Sequence, residues 1–256
     1  MIWIAQLTDT HLNGGESGAR FERIAAWLER FTPPVDAIVL TGDLVEVGEL
    51  GDGAEVYTAM AERLASIAPA IAVPGNCDDP EALAAAFLVP GFGVAPLGAN
   101  TVLVVGDAVA VIGLDSSIPG QFEGRLSAET LGWLETALAA LPAGMSVILA
   151  MHHPPVALGH PAVDGFRLEN PDSLAAVVRK EPRIVGILVG HTHGATVAAF
   201  AGKPVIVGPG IHSAMTLPQE PPTTPPSLID FAVQPGVALH RIDGDTITTH
   251  FRSVAG

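Results

Sequence analysis

Side chains able to ligate cations recur where apolar runs end. IWIAQL is followed closely by Asp9-Thr10-His11, AIVL by Thr41-Gly42-Asp43, and IAV by Pro74-Gly75-Asn76-Cys77-Asp78. VILAM leads into His152-His153-Pro154-Pro155, and IVGILV into Gly190-His191-Thr192-His193. Taken singly, each pattern is ordinary turn chemistry. Core packing does not demand all five together, so the chain is expected to hold metal. Carboxylate, amide and imidazole donors without thiolate suit Mn, Fe or Zn better than copper or an iron–sulfur cluster. Asp9, His11, Asp43, Asn76, one of His152 and His153, His191 and His193 exceed what a single metal that keeps a water can use. Two metals sharing a bridging carboxylate fit better, an arrangement suited to in-line displacement at phosphorus.

For these ends to meet, the runs must lie side by side, with their carboxyl ends at one crevice. Continuous apolar runs predict strands over Ile2–Leu7, Ala37–Leu40, Ala70–Val73, Val102–Val105, Val109–Leu114, Val147–Met151 and Ile184–Val189, covered on both faces. Helical spacing joins Phe21, Ile24, Ala25 and Leu28, then Tyr57, Met60, Ala61 and Leu64. Ser127 is a predicted cap for a helix through Leu131, Leu134, Leu138 and Leu141. Asn170-Pro171 reads as cap and first helical residue of another. From about residue 195 the pattern becomes short strands, Thr196–Phe200, Pro204–Val207, Val237–Ile242 and Thr246–Phe251, with a hairpin signal at Asp243-Gly244-Asp245. The proline-rich Leu217–Pro226 is an irregular loop or arm. Helices on one side of the strands and a second sheet on the other make a layered α/β sandwich. The expected organisation is one domain over residues 1–256 with a β-rich part over about 195–256.

Composition sets limits. At 256 residues, 48% hydrophobic and 15% charged, the chain has length and apolar content for a core. Twelve Lys plus Arg against 27 Asp plus Glu give a net charge of −15, which repels polymeric nucleic acid. The lone Cys77 allows no internal disulfide, and the amino end lacks a basic signal-peptide start, so a cytoplasmic protein is expected. No membrane span is expected, because prolines and glycines interrupt the greasy stretch Ala82–Gly106. Serine-hydrolase elbow, phosphate-loop and H-E-x-x-H patterns are absent.

The order D-x-H, G-D, G-N-x-D, H-H-P, G-H-T-H resembles the calcineurin-like metallophosphoesterase superfamily, and the closing DGDTITTHFRSV is similar to bacterial class III cyclic nucleotide phosphodiesterases. The resemblance implies a four-layer α/β/β/α sandwich. It implies that Asp9, His11 and His193 bind one metal, Asp43 bridges, and Asn76, His152 and His191 complete the second. It favours His152 over His153 as ligand, leaving His153 behind it. Where the family usually has G-N-H-D, the His able to protonate the leaving group, this chain has Cys77. A thiol can donate a proton but brings no cation to a dianionic phosphate, so diesters are expected over monoesters. Cys77 is thus a candidate catalytic residue and equally a small buried thiol, with Asn76 and Asp78 as its catalytic neighbours.

The activity implied is hydrolysis of small phosphodiesters, cyclic nucleotides such as cAMP foremost, by a metal-bridging hydroxide. The cofactors would be two divalent or trivalent ions, Mn and Fe first and Zn as an alternative. Glycerophosphodiesters or nuclease substrates are the next reading, and a non-catalytic metal-binding scaffold is a third. A homodimer is compatible. His212, in VGPGIHSAM, is the candidate substrate contact alongside Asn76, with a solvated loop histidine as the plainer reading. Asn13 and Arg20 are pocket candidates or simple loop polarity. His160, His240 and His250 read as structural, and the three tryptophans as core.

Overall fold

The computed structural model describes residues 1–46, 53–89, 91–220 and 227–255. Its elements run β1 (Ile2–Leu7), α1 (Glu16–Leu28), β2 (Ala37–Thr41), α2 (Ala54–Ala65), β3 (Ala70–Val73), α3 (Pro80–Ala86), β4 (Thr101–Val105) and β5 (Val109–Gly113). They continue α4 (Ala128–Ala140), β6 (Ser146–Ala150), α5 (Pro171–Lys180), β7 (Ile184–Val189), β8 (Thr196–Phe200) and β9 (Lys203–Val207). The short pair β10 (Ala214–Met215) and β11 (Ile229–Asp230) precedes β12 (Gly236–Asp243) and β13 (Thr246–Ser253).

Two sheets form. One has the order β13-β12-β1-β2-β3 and the other β4-β5-β6-β7-β9-β8. In the first, β1, β2 and β3 are parallel; in the second, β5, β6, β7 and β9 are parallel. Each central strand is buried on both faces, which is why its sequence is uniformly apolar. In β2, Ile38 and Leu40 join the cluster of Phe21, Ile24, Leu28, Tyr57 and Leu64 from α1 and α2. Ala37 and Val39 turn the other way, to Val111, Ile148 and Leu188 of the second sheet. A third cluster packs that sheet against Leu134, Leu138, Leu174 and Val178 of α4 and α5. The result is helix, sheet, sheet, helix, four layers deep.

The late strands extend both sheets. β8 and β9 continue the second sheet beyond β7, whereas β12 pairs antiparallel with β1 of the first over Ile2↔Ile242 to Gln6↔Ala238. The β12–β13 loop is the two residues Gly244-Asp245, with Gly244 at φ 60°.

Two local expectations need correction, and one element was missed. Ser127 does cap α4, accepting from the Thr130 N–H at 2.9 Å. Asn170 stands at the cap position of α5, but its amide binds the Leu126 backbone instead, at 3.1 and 2.8 Å. α3 has no counterpart in the sequence reading, being too short for a legible period; its signal is Asp79-Pro80, where the Asp79 carboxylate accepts from Glu81 and Ala82 N–H. Trp133 is buried, while Trp3 and Trp27 are only partly covered at the edge of the core. Of the proline-rich arm, residues 217–220 are described and 221–226 lie outside the described residues.

Candidate metal centre

The carboxyl ends of β1, β2, β3, β6 and β7 converge, and the backbone there is unusual. Six described non-glycine residues have positive φ, and five of them are Asp9, His11, Asp43, His191 and His193, at 41° to 72°. A left-handed conformation costs a residue with a Cβ about 1–2 kcal/mol, so concentrating it in five ligating side chains points to function rather than folding. Close approach makes two glycines obligatory. A Cβ on Gly75 would strike the Asp43 carboxylate, and one on Gly190 would strike the Thr8 hydroxyl.

Two clusters share Asp9. Asp9, His11 and His193 bring donor atoms together, as do Asp9, Asp43 and His152. His11 Nε2 lies 3.1 Å from His193 Nε2, and His193 Nε2 lies 3.4 Å from Asp9 Oδ1. On the other side His152 Nε2 faces His191 Nδ1 at 3.1 Å. Asp43 stands between, with Oδ2 3.7 Å from His11 and Oδ1 3.5 Å from His152.

Partners behind the rings fix their orientation. His11 Nδ1 meets Glu46 at 2.8 Å, His193 Nδ1 meets Ser213 Oγ at 2.8 Å, and His152 Nδ1 donates to the Thr41 carbonyl at 2.7 Å. Thr8 donates to Asp9 Oδ2 at 2.8 Å. Sequence reasoning missed Glu46, Ser213 and Thr8, because tertiary approach, not a motif, brings Glu46 and Ser213 to their imidazoles.

Electrostatics match a cation-binding cluster. Burial pushes the Asp9 carboxyl up to about 7. Burial opposes charging His11 and His152, yet Glu46 and Asp43 respectively lift each to about 9. Burial, with positive neighbours, lowers His191 and His193 to about 3. Each short imidazole pair thus sets a ring whose pKa is raised against one whose pKa is lowered. The Asn76 side-chain oxygen is buried with no hydrogen-bond partner. A buried acceptor without a donor is costly, and a hard cation satisfies it. The residues present thus fit two metal ions.

The remaining sequence candidates separate into distinct roles. His153 is committed on both nitrogens, to Ser116 Oγ at 2.8 Å and to the Phe122 carbonyl at 3.1 Å, and burial holds it neutral. Cys77 donates its backbone N–H to Asp43 Oδ1 at 2.9 Å; burial and then the Asp43 charge push its thiol up, making it a poor acid here. Asp78 accepts from Leu44, Val45 and Gly75 N–H and from the Tyr57 hydroxyl, at 2.8 to 3.0 Å. It ties the Asp43 loop to the Asn76 loop. Tyr57, read only as core, contributes that hydroxyl. His212 is half-buried, its N–H on the Asp9 carbonyl and its ring 5.8 Å from His11 and 5.1 Å from Phe231. Arg20 is buried, and its guanidinium donates to the carbonyls of Ile211, Phe231 and Val233, fixing the segments that carry His212 and Phe231. Asn13 caps locally through Gly15 and Ser17.

Fold and donor set together describe a layered α/β protein built around a histidine–carboxylate metal centre. The chain belongs to the calcineurin-like phosphoesterase family, whose model matches residues 2–195. It is 35% identical over 213 residues to a cAMP/cGMP dual specificity phosphodiesterase of Mycobacterium tuberculosis, a match covering 80% of this chain and 65% of that protein. It is 29% identical over 209 residues to a glycerophosphodiester phosphodiesterase of Enterobacter lignolyticus, covering 77% of this chain and 73% of that protein. Among solved structures, a dimetal phosphatase from Danio rerio shares the fold with a TM-score of 0.72 at 13% identity, covering 99% of this chain and 96% of that one.

Proposed function

We propose that the protein is a dinuclear metal-dependent phosphodiesterase acting on small diesters, 3′,5′-cyclic nucleotides such as cAMP foremost. The observation that carries this reading is the paired cluster around Asp43, five of whose ligating residues are held at positive φ. Asp9, His11 and His193 would hold one ion and Asn76, His152 and His191 the other, with Asp43 shared between them. Mn and Fe are the ions this oxygen–nitrogen donor set suits best, with Zn next. When bound, they supply positive charge for the phosphoryl oxygens and lower the pKa of water into the neutral range.

The chain's own residues do the positioning. Glu46, Ser213 and Thr41 keep the three imidazoles turned inward. Asp78 locks the Asn76 loop against the Asp43 loop. The thiol of Cys77 leaves the substrate without a protonated ring beside its phosphate, which supports diesters over dianionic monoesters. Among the described residues, no helix is long and apolar enough to cross a membrane. One cysteine, with no partner for a disulfide, suits a cytoplasmic setting.

The test is a substrate panel on Mn-loaded protein: cAMP, glycerophosphoethanolamine and p-nitrophenyl phosphate. Adenosine 5′-monophosphate is the expected main product, with the monoester slowest. Preference for glycerophosphoethanolamine would support a glycerophosphodiesterase instead, and no diester turnover would refute the reading.

A further inference from the structure

A cleft of about 440 Å³ opens beside the metal centre, lined by Glu46, Asn76, Cys77, Ser117, Ile118 and Phe122 among others. None of the described residues that line it is Lys or Arg. A substrate's charge therefore has to be met at the metal centre, and the rest of the molecule by other means. What the rim offers is aromatic surface. Phe122 is 62% exposed and Phe166 43%, with ring centroids 5.7 Å apart at 58°.

Leaving two phenyl rings in water forgoes roughly 25 cal/mol for each Å² of apolar surface, yet the backbone beneath them is fixed. His153 Nε2 donates to the Phe122 carbonyl at 3.1 Å. Gly124 N–H donates to the Arg167 carbonyl at 3.3 Å, and Glu169 N–H to the Gly124 carbonyl at 2.8 Å. A Cβ on Gly124 would collide with the His153 ring. That ring stands 4.9 Å from those of His152 and His191. The Phe122 backbone is thus tied to His153, whose ring packs against the imidazoles of the candidate metal centre.

We propose that Phe122, backed by Phe166, is the shelf on which the flat base of a nucleotide substrate stacks while its phosphate occupies the metal centre. This rests on the phosphodiesterase reading and adds a specificity-determining residue to it. Stacking on an aromatic face suits any base, so the shelf predicts a general preference for nucleotides and little discrimination between them. Phe122 carries the role because it lines the cleft and Phe166 does not.

Titration calorimetry on the Mn-loaded chain tests this by comparing adenosine 5′-monophosphate with ribose 5-phosphate, which lacks the base. Wild type should bind the nucleotide about ten-fold more tightly. Phe122→Ala and Phe122→Leu should bind the two alike, and Phe122→Trp should keep the preference. A preference unchanged in Phe122→Ala, or absent from wild type, overturns the shelf. Both small variants should melt with the wild type, because the ring is mostly exposed. Binding is read apart from turnover: a chain that prefers the nucleotide through Phe122 but cleaves no diester keeps the shelf and refutes the phosphodiesterase reading.

Discussion

Asn76, Asp78 and Cys77 are adjacent in sequence but answer to different forces. Asn76 has a buried oxygen with no donor; Asp78 has four donors on two oxygens. Cys77 has a thiol raised by burial and by Asp43. Asp78→Asn removes the charge that gathers those donors, and should cost about 2–3 kcal/mol of stability by urea unfolding. A loss below 0.5 kcal/mol would mean that the tie between loops is not structural. Cys77→His should raise monoester turnover relative to diester by on the order of ten-fold, measured with p-nitrophenyl phosphate against bis(p-nitrophenyl) phosphate. An unchanged ratio would separate this position from substrate charge. Glu46→Gln keeps the shape behind His11 but not the charge, and should weaken Mn binding about 10- to 100-fold. Equal affinity in a Mn titration would contradict the orienting role. The candidate ligands are legible in the sequence, because each lies within a few residues of the end of an apolar run. Glu46, Ser213 and Tyr57 were not, since their contacts span 35, 20 and 21 positions of chain.

At the scale of elements, strands were easier to read than helices. A strand covered on both faces is uniformly apolar, so Ile184–Val189 stands out, whereas the seven residues of α3 present no period. Hydrogen bonds between distant strands stayed hidden for the same reason as the partners above. β12 shows this: His240 is fully buried between Thr249 Oγ1 at 2.9 Å and Gln6 Oε1 at 3.1 Å. Burial lowers its folded pKa to about 3. The unfolded ring takes up a proton near pH 6.5, so between pH 6.5 and 3 the unfolded state binds more protons than the folded one. Stability therefore falls as pH drops through that window, by up to about 1.4 kcal/mol per pH unit from this group. His240→Gln should flatten that acid limb when urea midpoints are compared at pH 7, 5.5 and 4.5. Parallel slopes would show that His240 is not the group responsible.

The whole molecule explains why seven candidate ligands scattered from residue 9 to residue 193 can meet. The first sheet delivers Asp9, His11, Asp43 and Asn76 from β1, β2 and β3; the second delivers His152, His191 and His193 from β6 and β7. Ions held there would draw ligands from both middle layers, and so should stabilise the entire fold rather than one loop. At a free metal concentration 100 times the dissociation constant, one site contributes about 2.7 kcal/mol. The most direct measurement strips the protein of metal, then returns Mn stepwise while metal content and hydrolysis of bis(p-nitrophenyl) phosphate are followed together. Activity absent at zero metal, rising with Mn and levelling at two ions per chain, is the predicted result. Full activity without metal, saturation at one ion per chain, or two bound ions with no diester hydrolysis would contradict the dinuclear phosphodiesterase.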